Sequence, residues 1–498
     1  MLFDYDDRDQ ESIFNYAKKL EGMTFKEVLS EYNNSRQKSY INFYENNGEG
    51  YVSETSLFYD AEDTKTNAKG QLGNLLETHY FGYNQNSNQE ADFSKVGMEL
   101  KATCLNLKKN GDYSAGERLS ITNISYKEPV EDNFYNSHVW NKIKLILLIQ
   151  YLRDKTKERL QYTILFVNRF TPPKEDLAII IQDYTSIIRK VKNGKANEIS
   201  ESDTLYLGAC TKGANAEKSL VPQYYGDHSL AKKRNFCFKR SYMDYVLHEY
   251  VLKNNVPYES IVTNNHLSSS SSFETQTLNL INKYIGKTDE ELCDLFDREY
   301  NNNKAQWSDL AYKMLGIKGN QASEFAKANI VVKAIRIEEN RKIKESMSLP
   351  TIKFKEFVKQ SYEESDFCTY FEETKFLFVI YRKNNEQYVL ADAQMWNMPY
   401  LDLYGDAQIG WQKIHDKILN GITFKIKGGI VSNDLPKHKD NRILHIRPHT
   451  QHAAYKLHNG YEKGNIAVDG DELPNGEWMT TQSLWLNNSY ILSQLKLK

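Results

Sequence analysis

The sequence predicts a mixed α/β or α+β protein made of two domains. Its 498 residues are too many for one hydrophobic core and are comfortable for two. A serine-rich run at 267–272 is typical of a flexible linker. Apolar runs of strand length, such as 160–167, alternate with segments of helical periodicity, such as 243–252 and 274–284. We therefore expect domains at 1–265 and 275–498, joined by a linker at 266–274.

The first candidate site lies in residues 92–101, DFSKVGMELK. On a strand, Glu99 and Lys101 project to the same side while Leu100 points into the core. With Asp92, two carboxylates and an ammonium group can then meet around one cation. Mg²⁺ needs only one or two protein carboxylates beside water and phosphate oxygens. The pattern predicts a metal-dependent phosphodiesterase in which Lys101 orients or helps to deprotonate the attacking water.

The same spacing occurs again at Asp366, Glu373 and Lys375, so spacing alone is weak evidence. In a chain with 26% charged residues, such a pattern is more often a solvated strand edge. The apolar run at 376–381 predicts a buried central strand, which we align with 160–167 of the first half. We therefore expect Asp366 and Glu373 to be structural.

Four further motifs accompany the first copy. They are KGQLGNLLE at 69–77, SHVWNK at 137–142, LGACTKGANA at 207–216 and RNFCFKRSY at 234–242. As an ordered set, these motifs resemble the MutH-like endonucleases, a family that includes a mismatch-repair nickase and two-domain type II restriction enzymes that cut at GATC. The resemblance implies a restriction-endonuclease-like core in each domain, with a mixed central sheet flanked by helices.

Carried over to this chain, the resemblance implies a site of three acids and two lysines: Asp92, Glu99, Glu77, Lys101 and Lys142. The implied metal ligands are the carboxylates of Asp92 and Glu99 and the main-chain carbonyl of Leu100. Taken singly, Glu77 is equally explained as a surface acid, and Lys142 as a solvated residue flanking an apolar run.

The resemblance also implies DNA contacts. Lys212 would donate to guanine O6 and N7 in the major groove, and Gly213 would let the backbone approach the duplex. Lys69 matches a family lysine that either acts in the site or places its helix near phosphate. Lys239 and Arg240 would anchor phosphates. Without a role in DNA binding, residues 212–213 are explained as a turn and residues 239–240 as a charged helix face.

Two cysteines depart from the family pattern. Cys210 and Cys237 stand where arginine and tyrosine are typical of the mismatch-repair nickase. The tyrosine position is associated there with sensing adenine methylation, so this departure leaves methyl discrimination open.

The second half is a weak sequence repeat of the first half. Aligned with Glu77, Asp92, Glu99 and Lys101 are, in turn, Ala311, Glu324, Val331 and Lys333. Because valine cannot bind Mg²⁺, we expect this copy to be catalytically silent and to bind DNA or regulate. Residues 444–450 align with the loop at 207–213, which makes Arg447 and His449 candidate DNA contacts.

Composition adds limits rather than a function. The net charge of −2 gives no global basic signature, so DNA binding would depend on local charge. Five cysteines without C-x-x-C spacing argue against a disulfide framework or a zinc ribbon. His445, His449 and His452 have spacing that suits zinc, but a fourth ligand is not evident and DNA contact or packing is the better interpretation. The acidic N-terminus and the lack of a span-length apolar run predict a protein of the bacterial cytoplasm without a membrane segment.

The sequence as a whole predicts a type II restriction endonuclease that makes Mg²⁺-dependent double-strand cuts in DNA at GATC. Mn²⁺ should substitute for Mg²⁺, and the ends should carry 5′-phosphate and 3′-hydroxyl groups. Expected partners are double-stranded DNA, a cognate DNA methyltransferase in the same cell, and further copies of the chain that associate on DNA. The alternatives are a strand-nicking repair endonuclease and a non-catalytic DNA-binding regulator.

Overall fold

The structure is a computed structural model that describes residues 4–34, 71–83, 90–211, 220–254, 256–264, 271–301 and 303–496. The chain forms two compact units, Met1–Pro257 with Ala326–Ala328, and Tyr258–Phe325 with Asn329–Lys498. Residues 266–270 of the predicted linker lie outside the described residues. Ser272 caps a helix that begins at Phe273, and the bounds of the linker stay a prediction.

The first unit contains the helices α1 (Gln10–Lys18), α2 (Gln71–Leu75), α3 (His138–Ile143), α4 (Lys174–Lys192) and α5 (Arg240–Val246). The described residues 25–34 are helical as well. Two π-helical turns, Leu76–Tyr80 and Leu247–Val251, extend α2 and α5. The strands are β1 (Glu99–Leu107), β2 (Tyr113–Ala115), β3 (Leu119–Asn123), β4 (Ile146–Leu152), β5 (Ile164–Phe170), β6 (Leu207–Thr211), β7 (Leu220–Pro222), β8 (Leu230–Lys232) and β9 (Arg234–Phe238).

The central sheet of the first unit has the strand order β2-β1-β4-β5. Strands β1 and β4 are parallel, whereas β5 runs antiparallel to β4. Strand β4, with the sequence ILLIQYL, is buried at every position except its last, as expected for a central strand covered on both faces. A second sheet has the order β3-β9-β6, and β7 pairs with β8 as a separate hairpin. Strand β1 is therefore an inner strand of this mixed sheet, held between β2 and β4.

The helices of the second unit are α6 (Ile261–Asn264), α7 (Phe273–Asn282), α8 (Asp289–Leu295), α9 (Lys304–Met314), α10 (Ser323–Ala328), α11 (Phe354–Phe357), α12 (Asp366–Glu373), α13 (Tyr400–Asp402), α14 (Gln408–Leu419), α15 (Ile466–Asp469) and α16 (Asn488–Gln494). Its strands are β10 (Ile330–Ile337), β11 (Met347–Thr351), β12 (Lys375–Asn384), β13 (Gln387–Trp396), β14 (Phe424–Lys427), β15 (Ile430–Asn433), β16 (Leu444–Pro448), β17 (Tyr455–Lys456), β18 (Glu462–Lys463), β19 (Gly470–Glu472), β20 (Trp478–Thr480) and β21 (Gln482–Leu486).

The two units share a strand plan. In the second unit, β10 and β12 are parallel and β13 runs antiparallel to β12, which repeats the arrangement of β1, β4 and β5. The sheet β11-β21-β16 likewise repeats β3-β9-β6. Two features extend the second unit: the hairpin of β14 and β15, and a small sheet of order β18-β17-β20-β19.

A shared irregularity fixes which residues correspond. The β4–β5 pairing shifts register between Gln150 and Tyr151, and the β12–β13 pairing shifts between Ile380 and Tyr381. Counting back four residues from Gln150 and Ile380 aligns 146 with 376. Glu99 pairs with residue 146 of β4, and Val331 pairs with residue 376 of β12. Val331 therefore occupies the position of Glu99, as the sequence alignment proposed.

Two expectations about the second half need correction. The run at 376–381 corresponds to β4 rather than to 160–167, because it pairs in parallel with β10 as β4 pairs with β1. Both runs are apolar, so composition could not distinguish them. Asp366 and Glu373 lie at the two ends of helix α12 rather than on a strand, which keeps them about 10 Å apart along the helix axis.

Among the described residues, none of the helices combines the length and the apolar character needed to span a membrane.

Candidate active site

A tight turn brings Asp92 beside Glu99. Phe93 and Met98 form an isolated antiparallel bridge, with N–H···O distances of 2.9 and 3.3 Å. Residues 94–97 close this turn, and Gly97 has a φ of +66°, a conformation that residues with a Cβ rarely adopt. With 93 opposite 98, residue 92 comes opposite residue 99. The seven-residue spacing in the motif is thus the length of one closed turn.

The backbone of β1 is oriented toward Asp92. The Leu100 N–H donates to Asp92 Oδ2 at 2.9 Å, whereas the Glu99 N–H donates to the Leu145 carbonyl on the opposite side. Because the N–H and C=O of one strand residue point the same way, the Leu100 carbonyl also faces the side of Asp92. The side chain of Leu100 is buried in the core, as predicted. The Asp92 N–H also donates to Glu99 Oε2 at 3.3 Å.

Two lysines hold the buried Glu99 carboxylate. Lys101 Nζ lies 2.6 Å from Oε1, and Lys142 Nζ lies 3.0 Å from Oε2. Lys142 also donates to the Glu90 carbonyl at 2.7 Å. The Lys101 side chain is 20% exposed and the Lys142 side chain 10%. Lys101 is therefore the ammonium group nearer to solvent, and Lys142 is the more deeply anchored one.

Helix α3 delivers Lys142 to the site. Ser137 caps this helix, since its Oγ accepts from the Trp140 N–H at 3.2 Å. Lys142 lies in the last turn of α3, five residues after the cap and four residues before the start of β4 at Ile146. The motif SHVWNK is therefore a cap followed by one helical turn and a half. Sequence analysis did not assign this capping role to Ser137, although a serine before a helix start is its usual signal.

Glu77 belongs to the same charge cluster. It lies in the π-helical turn after α2. Burial, reinforced by the charge of Asp92, raises the pKa of Glu77 to about 7, while Lys101 and Lys142 act in the opposite direction. Burial and the charge of Glu99 likewise raise the pKa of Asp92 to about 6. Two neighbouring carboxyl groups with raised pKa values are a feature of functional sites.

The donor set fits a hard divalent cation. Two carboxylates and a main-chain carbonyl are oxygen ligands of the kind that Mg²⁺ prefers, with water and substrate oxygens completing the shell. Within the described ranges, no three histidine, cysteine, aspartate or glutamate side chains are gathered so as to hold a metal by themselves. His445 is buried and its Nδ1 lies 2.7 Å from Asn487 Oδ1, which assigns it to packing rather than to zinc.

The residues predicted to contact DNA in the first unit differ in their exposure. Lys69, Lys212 and Gly213 lie outside the described residues. Arg240 is exposed at the start of α5, where a phosphate can reach it. Lys239 does not fit the predicted phosphate anchor: it is only 2% exposed, and its Nζ donates to the Thr204 carbonyl at 2.5 Å. This hydrogen bond joins Lys239, the residue after β9, to Thr204, which precedes β6.

Arg447 and His449 lie together at the end of β16. Both are exposed, and the Arg447 guanidinium stacks on the Trp485 ring at 3.7 Å from its centroid. The His449 N–H donates to the Thr481 carbonyl at 3.0 Å, which fixes the backbone where β16 ends. Residue 447 stands opposite Ser483 as Cys210 stands opposite Asn235 in the first unit. Both side chains are thus presented where the alignment expected the reading loop of the second unit.

The corresponding position of the second unit lacks the acids. Ala311 and Val331 replace two of the three carboxylates. The third, Glu324, is buried and accepts from the backbone N–H groups of Ile261 and Val262 at 3.0 and 3.2 Å, so its charge caps a helix. Burial lowers the pKa of Lys333.

Sequence analysis missed the Glu90 carbonyl, which accepts from Lys142. A main-chain acceptor leaves no residue-type signal, so only the fold could identify it. The glycine of the motif was noted, but the sequence did not reveal that its left-handed conformation closes the turn.

Comparison with known proteins agrees with this geometry. A family model described as the DNA mismatch repair enzyme MutH matches residues 81–183, the segment that contains Asp92, Glu99, Lys101 and Lys142. The type II restriction enzyme Sau3AI of Staphylococcus aureus is 29% identical over 476 residues, which cover 89% of this chain and 96% of that enzyme. The DNA mismatch repair protein MutH of Vibrio parahaemolyticus is 25% identical over 181 residues, or 36% of this chain and 77% of that protein. MutH of Shewanella woodyi is 25% identical over 188 residues, with 36% and 76% covered.

Proposed function

We propose that this chain is a MutH-like restriction endonuclease whose first unit hydrolyses both strands of duplex DNA at GATC. The observation that carries the proposal is the meeting of Asp92, Lys101 and Lys142 at the buried Glu99 carboxylate, with Glu77 in the same charge cluster. Acids and lysines in this arrangement suit phosphodiester hydrolysis, in which negative charge grows on the phosphate oxygens.

A divalent metal ion is the cofactor of this class of enzyme, and we propose Mg²⁺, with Mn²⁺ as a substitute. Asp92, Glu99 and the Leu100 carbonyl would hold it. When bound, the ion supplies a Lewis acid for the scissile phosphate and lowers the pKa of bound water. Two carboxylate ligands and a single main-chain oxygen leave room for substrate, which suits a catalytic rather than a structural ion.

The two lysines have different tasks. Lys101 is the more exposed, so it can reach a water or a phosphate oxygen while remaining close to Glu99. It orients the attacking water, helps to deprotonate it, and offsets charge on the pentavalent phosphorane. Lys142 is bonded to both Glu99 and the Glu90 carbonyl, so it holds the acid in place. Glu77 adds a third acid to the charge cluster.

The recognition sequence and the partners follow from the family. The GATC-cutting enzymes share the ordered motifs of this chain, including the loop at 207–216. Lys212 and Gly213 of that loop would read bases, while Lys69 and Arg240 would contact phosphates. Cutting a short, frequent site requires protection of the host genome, so a cognate methyltransferase is an implied partner. The second unit, with Val331 in place of Glu99, would bind DNA through Arg447 and His449 without cutting.

A supercoiled plasmid with one GATC site tests the proposal. With Mg²⁺ or Mn²⁺ the purified chain should produce full-length linear DNA, and EDTA should abolish cutting. Sequencing of the termini should place every cut at GATC, with 5′-phosphate and 3′-hydroxyl ends. Persistent open circles would indicate a nicking repair enzyme instead. A mobility shift of the GATC duplex without any cleavage would indicate a non-catalytic regulator.

A further inference from the structure

The second unit carries a β-ribbon, β14 and β15, to which no role has been assigned. Its strands pair from Phe424 opposite Asn433 to Lys427 opposite Ile430. Gly428 and Gly429 close it with φ values of +56° and +74°. Two successive residues with positive φ form the type I′ turn that matches the twist of a two-stranded ribbon. The ribbon is therefore a regular, well-defined projection.

The two faces of this ribbon differ sharply. Opposed side chains share a face, so Phe424, Ile426 and Val431 lie on one side. Phe424 and Val431 pack against the core of the second unit. The other face carries Lys425, Lys427, Ile430 and Ser432, all exposed, with the Ile430 side chain 72% exposed. One face anchors the ribbon, and the other is free to bind a partner.

The charge on the outer face has no counter-charge of its own. Neither Lys425 nor Lys427 has an acidic partner within 4 Å among the described residues of the chain. In contrast, neighbouring Lys417 pairs with Asp434 at 2.7 Å. Two unpaired ammonium groups beside an exposed isoleucine and two glycines suit a polyanion with an apolar interior, which is the chemistry of a DNA groove.

The ribbon is continuous with the segment that follows the predicted reading residues. The chain runs from Arg447 and His449 through β17 to β18, and that segment holds the ribbon tip. Tyr461 Oη donates to the Gly429 carbonyl at 3.3 Å, and Lys463 Nζ donates to the same oxygen at 2.8 Å. Lys463 is itself exposed and adds a third positive charge at the tip. The ribbon thus extends the surface already expected to meet DNA.

The first unit has no such ribbon at the corresponding place in its described residues. Between α4 and β6, where the second unit inserts it between α14 and β16, the described residues 193–206 contain only two short 3₁₀ turns and no strand. The unit that has lost its acids has therefore gained a basic projection.

We propose that the β14–β15 ribbon enters a groove of duplex DNA, with Lys425, Lys427 and Lys463 on phosphates and Ile430 at the bases or sugars. The proposal rests on the DNA-cutting function above and assigns a binding element to it. A two-stranded ribbon has the width that the major groove admits, about 12 Å. The exposed face is too basic for the apolar centre of an interface between two copies of the chain.

Binding of the full chain to a 30-base-pair GATC duplex, measured in EDTA over a range of salt concentrations, tests the lysines. Each phosphate contact contributes about 0.9 to the slope of log affinity against log salt. The double variant Lys425→Ala/Lys427→Ala should therefore lose about two units of slope and bind several-fold more weakly. The matched control is Lys355→Ala/Lys359→Ala, because both lysines are exposed in the second unit but are paired with Glu472 and Glu356. The control should retain the slope.

Photocrosslinking tests the contact directly. With p-benzoylphenylalanine in place of Ile430, ultraviolet light should attach the full chain to the labelled duplex. The same replacement at Leu401 should not, because Leu401 is 83% exposed but adjoins Asp402, which accepts from Arg442 just before the opposite end of β16. An unchanged slope together with no DNA adduct at 430, in a protein that binds and cuts DNA, would reject the ribbon and leave the function standing. A crosslink to a second copy of the chain would also reject it. A wild-type chain that neither binds nor cuts the duplex would reject both.

Discussion

Glu99 is almost fully buried, and its two oxygens accept from lysines that lie on different elements, β1 and α3. A buried carboxylate is costly unless it is paired and hydrogen-bonded. Here the pairing also performs a positioning task, because the same carboxylate accepts from the Asp92 N–H. At the residue scale, the site is therefore one acid held at a fixed point by its neighbours.

Lys142→Met should disrupt this arrangement although Lys142 is the less exposed of the two lysines. Loss of the ammonium removes one partner of Glu99 and the bond to the Glu90 carbonyl. We expect cleavage to slow by about 100-fold or more in single-turnover assays, with stability lowered by about 1–3 kcal/mol. Lys144→Met is the matched control, since Lys144 bonds Asn141 instead and should leave the rate within a few-fold of wild type. Equal rates for the two variants would remove Lys142 from the site.

Metal binding should depend on pH through Glu77 and Asp92. Their pKa values are raised to about 7 and about 6, so each carboxyl is protonated and neutral below its value. A cation must then displace protons, and its affinity should fall as the pH drops from 8 to 5.5. Mn²⁺ titration by calorimetry should show this fall, with proton release near pH 6. Glu77→Gln should remove the part of the dependence near pH 7, and a pH-independent affinity would contradict the assignment.

At the element scale, the turn at 93–98 decides whether Asp92 faces β1. Gly97 is left-handed, and an added Cβ would come within 3.3 Å of Lys144 Cε. Gly97→Ala should therefore destabilise the first unit by about 1–2 kcal/mol and slow cleavage markedly. Gly111→Ala is the control: Gly111 is also left-handed, but nothing lies within 4 Å of its added Cβ. The control should lose similar stability and keep its cleavage rate at permissive temperature. A comparable loss of rate in both variants would show that the effect of Gly97 is only global.

Much of the site was predictable because Asp92, Glu99 and Lys101 lie close together in the sequence. Strand alternation placed Glu99 and Lys101 on one side and Leu100 in the core, and the structure confirms that Leu100 is buried. The resemblance to the MutH family agrees with the family model that matches residues 81–183. The bond from Lys142 to the Glu90 carbonyl was not predictable, since it joins residues that only the tertiary fold brings together.

Other elements show why patterns alone were insufficient. Lys239 and Arg240 are adjacent and chemically alike, yet one is buried against Thr204 and the other is exposed. Their difference arises from where β9 ends and α5 begins. The run at 376–381 was matched to the wrong strand because buried strands have similar composition, and only the parallel pairing with β10 identifies it.

At the scale of the whole molecule, two units share a strand plan, and among the described residues the second unit has Ala311 and Val331 where the first has the acids Glu77 and Glu99. One cutting centre cannot cleave both strands without a second chain or a second event. We therefore expect two chains to act together on DNA. A plasmid with two GATC sites should be linearised faster than a one-site plasmid of equal length, and added GATC oligonucleotide should accelerate the one-site reaction. Equal rates at all enzyme concentrations, with no effect of oligonucleotide, would indicate independent monomers.

The most direct test compares equivalent lysines of the two units, Lys101 and Lys333, under the same substitution. Lys101 is bonded to the buried Glu99, whereas Lys333 lies beside Val331. The measurement is the single-turnover rate of GATC duplex cleavage in Mg²⁺ by folded Lys101→Met and Lys333→Met chains. We predict that Lys101→Met loses at least about 100-fold in rate and that Lys333→Met cuts at the wild-type rate. Full activity of Lys101→Met, or loss of chemistry in a folded Lys333→Met chain, would contradict a single active centre in the first unit.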